Sequence, residues 1–123
     1  MKVLVVDDEA SIIRLFEQRF RKEIHEGSLS FIFAASGEEA LERYKAEGGD
    51  LVMILSDINM PGMNGLELLK ALKQIGSKVP VWMISAYDND TYQEQSAQLG
   101  ADGFIPKPLD FDVLKELLSR YTR

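Results

Sequence analysis

The 123-residue chain contains no cysteine. That excludes a disulfide framework, a zinc-thiolate site and thiol catalysis, and it fits a reducing compartment. Histidine occurs once, as His25 beside Glu26. With no second catalytic group beside it, it reads as a solvated or capping side chain rather than a phosphoacceptor. Basic residues are outnumbered, 14 Lys and Arg against 20 Asp and Glu, for a formal charge of −6. No basic patch dense enough to grip a nucleic-acid backbone exists, so direct nucleic-acid binding by this chain is excluded. Long hydrophobic runs are missing too. The amino-terminal run Val3 to Val6 is four residues long before Asp7 and Asp8 interrupt it, too short for a secretory core or a membrane span, which makes the expected location cytoplasmic.

The chain does have 46% hydrophobic residues in the length of one ordinary domain, enough for a single core over residues 1–123. Short apolar runs alternate with amphipathic segments. Val3 to Val6, Leu29 to Ala34, Leu51 to Leu55, Val79 to Ile84 and Gly103 to Ile105 read as strands. The first helix pattern carries Ile12, Ile13, Phe16 and Phe20 on one stripe. The second starts at a Ser36 to Glu39 capping box and runs through Ala40, Leu41 and Tyr44 to a Gly48-Gly49 stop. A third spans about 65–75 with Leu66, Leu69 and Leu72 inward. The fourth, 88–99, offers only Tyr92, Ala97 and Leu99 for burial and should be the least firmly packed. The fifth starts near Asp110 with Leu114, Leu117, Leu118 and Tyr121 as its stripe. Such alternation predicts an α/β fold, a parallel sheet covered on both faces, with Leu51 to Leu55 central and the strand ending in Pro106 at an edge. In such doubly wound sheets the ligand crevice lies at the carboxyl ends of the strands.

That edge collects the chemistry. Asp7 and Asp8 end the first strand, Asp57 the third and Ser85 the fourth, and Lys107 follows the fifth. Any one of these could be a helix cap or a solvated loop charge. Together they bring three carboxylates into one place, where they repel unless a cation joins them, and an all-oxygen set suits Mg²⁺. A carboxylate nucleophile, a hydroxyl, an ammonium and a hard metal are the parts of phosphoryl transfer, with an aspartyl phosphate on Asp57 as the covalent product.

The stretches "VLVVDDE", "LSDINMPGMNG", "MISA" and "GFIPKP" occur in an order and at a spacing that resemble the two-component response-regulator receiver domain, similar to the single-domain chemotaxis response regulators. The resemblance covers essentially the whole chain. It implies a flavodoxin-like (βα)5 fold with strand order 2-1-3-4-5. It implies that Asp57 accepts phosphate from the phosphohistidine of a sensor histidine kinase or histidine phosphotransfer protein. Mg²⁺ would be held by Asp8, Asp57 and the backbone carbonyl of Asn59, with Asp7 acting through water. Lys107 would bridge to the acceptor carboxylate and then to the phosphoryl group, Ser85 would hydrogen-bond a phosphoryl oxygen, and Phe104 would follow inward. Asn59 and Tyr87 would tune phosphate lifetime, and the Lys107-Pro108 bond would be cis. Phosphorylation would alter the surface of the fourth helix, fifth strand and fifth helix, to control a downstream protein or a carboxyl-terminal output domain, and would leave room for a phosphorylation-dependent dimer.

Ser85 stands where Thr is more frequent in the family, keeping the hydroxyl but losing the methyl that restricts its rotamer. Phe104 stands where Tyr is also common. Two other classes use similar parts. A haloacid-dehalogenase phosphatase would need a second acid two residues after the nucleophile, and Asp57-Ile58-Asn59 lacks it. An FMN-binding flavodoxin would need a phosphate-cradling first loop, whereas Asp7, Asp8 and Glu9 repel phosphate. A receiver-shaped scaffold that is never phosphorylated is the remaining alternative. Near the site, Met60 and Met63 read as loop packing, Pro61, Gly62 and Gly65 as backbone geometry, Trp82 as core, and Glu38, Glu39, Glu42 and Lys45 as a solvated helix face.

Overall fold

Hydrophobic alternation along β1 (Lys2–Val6) sets the layering. Val3 and Val5 point to one face of the sheet, Leu4 and Val6 to the other, and all are buried. The computed structural model describes residues 1–86 and 90–121. β2 (Ser30–Ala34), β3 (Leu51–Asp57), β4 (Val81–Ser85) and β5 (Gly103–Pro106) complete a five-stranded sheet of order β2-β1-β3-β4-β5, every neighbouring pair parallel. This is the flavodoxin-like order expected above. β3 lies at the centre and β5, which ends in Pro106, at an edge.

One face of the sheet is covered by α3 (Gly37–Glu47) and α4 (Gly65–Gln74), whose Ala40, Leu68, Leu69 and Leu72 pack with Leu4, Val6, Ile54 and Met83. The other is covered by α1 (Ser11–Arg19) and α6 (Phe111–Tyr121), whose Ile12, Phe16, Leu114, Leu117 and Leu118 pack with Val3, Val5, Met53 and Leu55. Phe16, Phe20, Phe31, Phe33 and Phe111 form an aromatic cluster on that side, Phe16 stacked on Phe20 and edge-to-face with the other three. Met60 and, partly, Met63 pack with the first cluster, as loop packing requires.

Several local expectations are corrected. The first helix pattern is broken at Phe20 (φ −111°, ψ 21°), and α2 (Arg21–Glu26) continues it to a left-handed Gly27. Neither proline nor glycine sits at the break, and the Phe20 ring is buried within the aromatic cluster. Ile13 lies off the buried stripe and is exposed, because Ile12, Phe16 and Phe20 at four-residue steps already fill it. In α4 the inward position is Leu68, with Leu66 half-buried. In α5 (Asp90–Gln98), the fourth helix of the sequence pattern, Ala97 is exposed and Ser96 is buried, its hydroxyl donating to the Tyr92 carbonyl at 2.7 Å. Trp82 is half-buried, its indole N–H donating to Tyr121 Oη at 3.2 Å.

Two helix starts bear on the site. Asn64 caps α4 with a full capping box, accepting from Glu67 N at 2.9 Å while Glu67 Oε1 accepts from Asn64 N at 3.1 Å. Ser36 caps α3, but the Glu39 carboxylate reaches Ala35 N instead of Ser36 N, so that box is only half formed. Glu38 is not merely solvated. Its Oε1 accepts the Met63 N–H at 3.2 Å and ties the start of α3 to the β3–α4 loop.

Candidate functional site

Parallel register carries the strand ends to one edge. Asp57 pairs with Ile84 and Ser85 with Pro106, so Asp57, Ser85 and Lys107 leave neighbouring strands together. The ladders run slightly beyond the strands. Asp7 N donates to Ala34 O at 3.0 Å, Ile58 N to Ile84 O at 3.0 Å and Lys107 N to Ser85 O at 2.8 Å, which fixes the backbone beneath each polar side chain. The Lys107-Pro108 peptide bond is cis.

Lys107 Nζ lies 3.1 Å from Asp57 Oδ2 and 3.2 Å from Asp7 Oδ2. The second oxygen of each acid is held by main chain: Asp57 Oδ1 accepts from Asn59 N at 3.3 Å, and Asp7 Oδ1 from Glu9 N at 2.9 Å. Asp57 is 5% exposed and Ser85 fully buried, whereas Asp8 is exposed. Burial pushes the Asp57 carboxyl above its ordinary 3.8, against the lowering hydrogen bond and charge of Lys107, and the Asp7 charge adds to the rise. For Lys107, burial acts downward, but the hydrogen bond and charge of Asp57, with those of Asp7, prevail and raise it above 10.5.

Asp7, Asp8 and Asp57 each offer an oxygen within 4.8 Å of the others, and a single ammonium does not neutralise three carboxylates. The donor set is all oxygen, two of its acids are drawn together by Lys107, and the third opens to solvent, where water can complete a coordination shell. It fits a hard divalent cation of the Mg²⁺ type.

The turn after β3 is built for close approach. Gly62 has φ +72°, and Gly65 N donates to Ile58 O at 2.9 Å. A Cβ on Gly65 would run into the main chain of Asp57 and Ile58 and into Met83, so only glycine lets α4 begin against the residue bearing the acid.

The expected Asp7, Asp8, Asp57 and Lys107 are thus assembled, with Ser85 joined to Asn59 through a hydrogen bond of 3.4 Å from Asn59 Nδ2 to Ser85 Oγ. Phe104 stands apart on β5, half-buried and paired in register with Met83. Tyr87 lies outside the described residues. Sequence reasoning missed the Asn59–Ser85 bond and the buried Ser56 hydroxyl, which donates to the Asp57 carbonyl at 3.0 Å. Only the polar residue interrupting an apolar central strand signalled Ser56. Nothing in the sequence signalled the 26-residue reach from Asn59 to Ser85.

A family model described as the response regulator receiver domain matches residues 3–119. Sporulation initiation phosphotransferase F of Bacillus subtilis is 36% identical over 120 residues, covering 98% of this chain and 92% of that protein. The transcriptional regulatory protein PhoP of the same organism is 35% identical over 107 residues, 87% of this chain but 42% of its own length. Among solved structures, a chain of the CheX-CheY-BeF3-Mg+2 complex from Borrelia burgdorferi superposes with TM-score 0.85 at 32% identity, covering 100% of this chain and 90% of that one. Chemotaxis protein CheY4 of Vibrio cholerae superposes with TM-score 0.80 at 30% identity, covering 98% and 97%. The chain belongs to the response regulator receiver domain family. Receiver domains are signalling switches of two-component systems, work with a histidine kinase partner and hold Mg²⁺ on acidic residues. Among the described residues no helix is long and apolar enough to cross a membrane.

Proposed function

We propose that this chain, as one receiver domain over residues 1–123, takes a phosphoryl group onto Asp57 from the phosphohistidine of a sensor kinase or histidine phosphotransfer protein. The observation that carries this is the single ammonium of Lys107 shared between Asp57 and Asp7, beside the exposed acid Asp8. A bare acid pair would serve as well for a cap. An acid pair clamped by a lysine at a sheet's carboxyl edge is suited to receive an anion.

In the transfer, a carboxylate oxygen of Asp57 forms the new bond to phosphorus, the phosphorus–nitrogen bond breaks, and the electron pair returns to the imidazole nitrogen of the donor. Mg²⁺, held by Asp8, Asp57 and the Asn59 carbonyl with Asp7 acting through water, would supply positive charge for the phosphoryl oxygens. The rest falls to the protein. Lys107 holds Asp57 in place and then pairs with a phosphoryl oxygen, supplying positive charge where negative charge accumulates. The Asn59 N–H orients Asp57 Oδ1. The Ser85 hydroxyl, at the adjacent strand end, turns to a phosphoryl oxygen.

Access is consistent with a protein donor. A cavity of about 490 Å³ lies beside Lys107, lined by Ile12, Leu15, Leu109 and Phe111 together with the charged Glu9 and Arg19. A largely apolar cavity beside Lys107 suits the packing of a helix from the histidine-bearing donor.

Output follows from β4 and β5. When Ser85 moves, Phe104, half-buried against the α3 and α4 side of the sheet, repacks inward. The thinly packed α5, with β5 and α6, then presents a changed surface to a partner, a carboxyl-terminal output domain or a second copy. Asn59, on the loop after Asp57, and Tyr87 would set the lifetime of the phosphate. A cytoplasmic location accompanies this reading.

Incubation with acetyl phosphate tests it. Mg²⁺-dependent addition of one phosphoryl group, lost in Asp57→Asn, is the expected result; folded protein that stays unlabelled would leave a receiver-shaped scaffold without phosphotransfer.

A further inference from the structure

The loop after β3 is held from outside by the first turn of α3. Glu38 Oε1 accepts the Met63 N–H at 3.2 Å, although the two residues are 25 positions apart in the chain. A Cβ on Gly62 would stand 3.1 Å from Glu38 Oε2, so the carboxylate lies along the bare face of that glycine. A Cβ on Gly37 would meet the Met63 carbonyl at 2.8 Å and its Cγ at 2.7 Å, so Met63 rests directly on the start of α3. At its near end the same loop is fixed by the Asn59 N–H on Asp57 Oδ1, and at its far end by the Asn64 cap of α4. Between these ends Met60 is buried and Pro61 has a fixed φ, which leaves little slack between Met63 and Asn59. A displacement at one is passed to the other.

We propose that Glu38 is a positioning residue for the divalent cation, its carboxylate clasping the Met63 N–H so that the loop presents the Asn59 carbonyl beside Asp8 and Asp57. The proposal rests on the reading of Asn59 and the acids as the holders of the metal, and it adds a residue from outside the site. Glu38 itself is exposed at the start of α3 and supplies no ligand in that reading. It contributes an acceptor for one main-chain donor. Without that acceptor the middle of the loop is released, and ordering it opposes metal binding by the scale of one net hydrogen bond, about two- to tenfold in affinity. A carboxamide keeps an acceptor oxygen at the same place but carries no charge. Glu38→Gln therefore separates a clasp from a simple effect of charge.

The test titrates the whole chain, stripped of metal, with Mg²⁺ by calorimetry and follows amide hydrogen exchange at Met63 by NMR. Glu38→Ala is expected to weaken Mg²⁺ binding about two- to tenfold and to speed exchange at Met63 in the metal-free protein by a similar factor. Glu38→Gln is expected to keep both near the wild type. Glu42→Ala, which removes the same charge from the exposed face of α3 one turn further on, is expected to change neither. Equal weakening of Mg²⁺ binding in Glu38→Ala and Glu38→Gln would overturn the proposal, since charge alone would then account for it. So would a Mg²⁺ affinity that Glu38→Ala leaves unchanged. A wild-type chain that binds no Mg²⁺ would instead overturn the metal reading, and the role of Glu38 with it.

Discussion

Lys107 Nζ and Asp57 Oδ2 stand 3.1 Å apart although their residues are 50 positions apart in the chain, and the same ammonium reaches Asp7 at 3.2 Å. Parallel register alone brings them together, so the pair reports directly on whether the sheet edge is assembled. Its electrostatics set the first expectation.

Asp57 is raised above 3.8 chiefly by burial. A group whose folded pKa is raised contributes stability that is fully present below its unfolded pKa and lost as pH rises through its folded value. At neutral pH without metal, the ionised Asp57 therefore costs stability. Asp57→Asn is expected to melt a few degrees higher than the wild type in EDTA at neutral pH, with the gap closing as pH falls below about 3.8. Added Mg²⁺ is expected to narrow it. Thermal unfolding by circular dichroism across pH checks both. Lys107, raised above 10.5 by the two acids, follows the same rule at the other end, its stabilisation persisting below 10.5 and fading as pH rises through the folded value.

Lys107→Met removes the internal counter-charge while keeping a side chain of similar length. Mg²⁺ affinity, read by calorimetry, is expected to rise several-fold because the carboxylates lose their competing cation. Labelling by acetyl phosphate is expected to slow on the order of a hundredfold, the scale of losing one preorganised charge at a transition state. Tighter metal binding with undiminished labelling would assign Lys107 to structure alone.

Gly65→Ala tests the turn. Its methyl would meet the main chain of Asp57 and Ile58, which cannot yield without moving the acid. Overpacking of this kind costs about 1–3 kcal/mol, and urea unfolding is expected to show a loss in that range together with weaker Mg²⁺ binding. Gly62→Ala, at φ +72°, is expected to destabilise the loop through backbone strain with a smaller effect on the metal.

The strands were legible to within two residues because apolar runs in a parallel sheet are unbroken and bounded by polar ends: Val3 to Val6 against Lys2–Val6, Val79 to Ile84 against Val81–Ser85. The site residues were legible because four of the five runs lead into a polar group at the same edge: Asp7 and Asp8, Asp57, Ser85 and Lys107. Helix faces were read less well. Period fixes a stripe's spacing but not which neighbouring residue, Leu66 or Leu68, turns inward; the Gly65 contact with the end of β3 fixes that phase. Ser96 defied a hydrophobicity reading because its hydroxyl is satisfied within its own helix turn by Tyr92 O, which lets a polar residue be buried. The Glu38–Met63 and Asn59–Ser85 bonds are long-range polar contacts with no periodic trace, visible only once the strands are placed.

The most direct measurement of the central claim is intact mass after incubation with acetyl phosphate, with and without Mg²⁺, on the wild type and Asp57→Asn. The account predicts one added phosphoryl group that requires Mg²⁺ and disappears in the variant. Labelling that survives Asp57→Asn, or a folded wild type that acquires none, would contradict it.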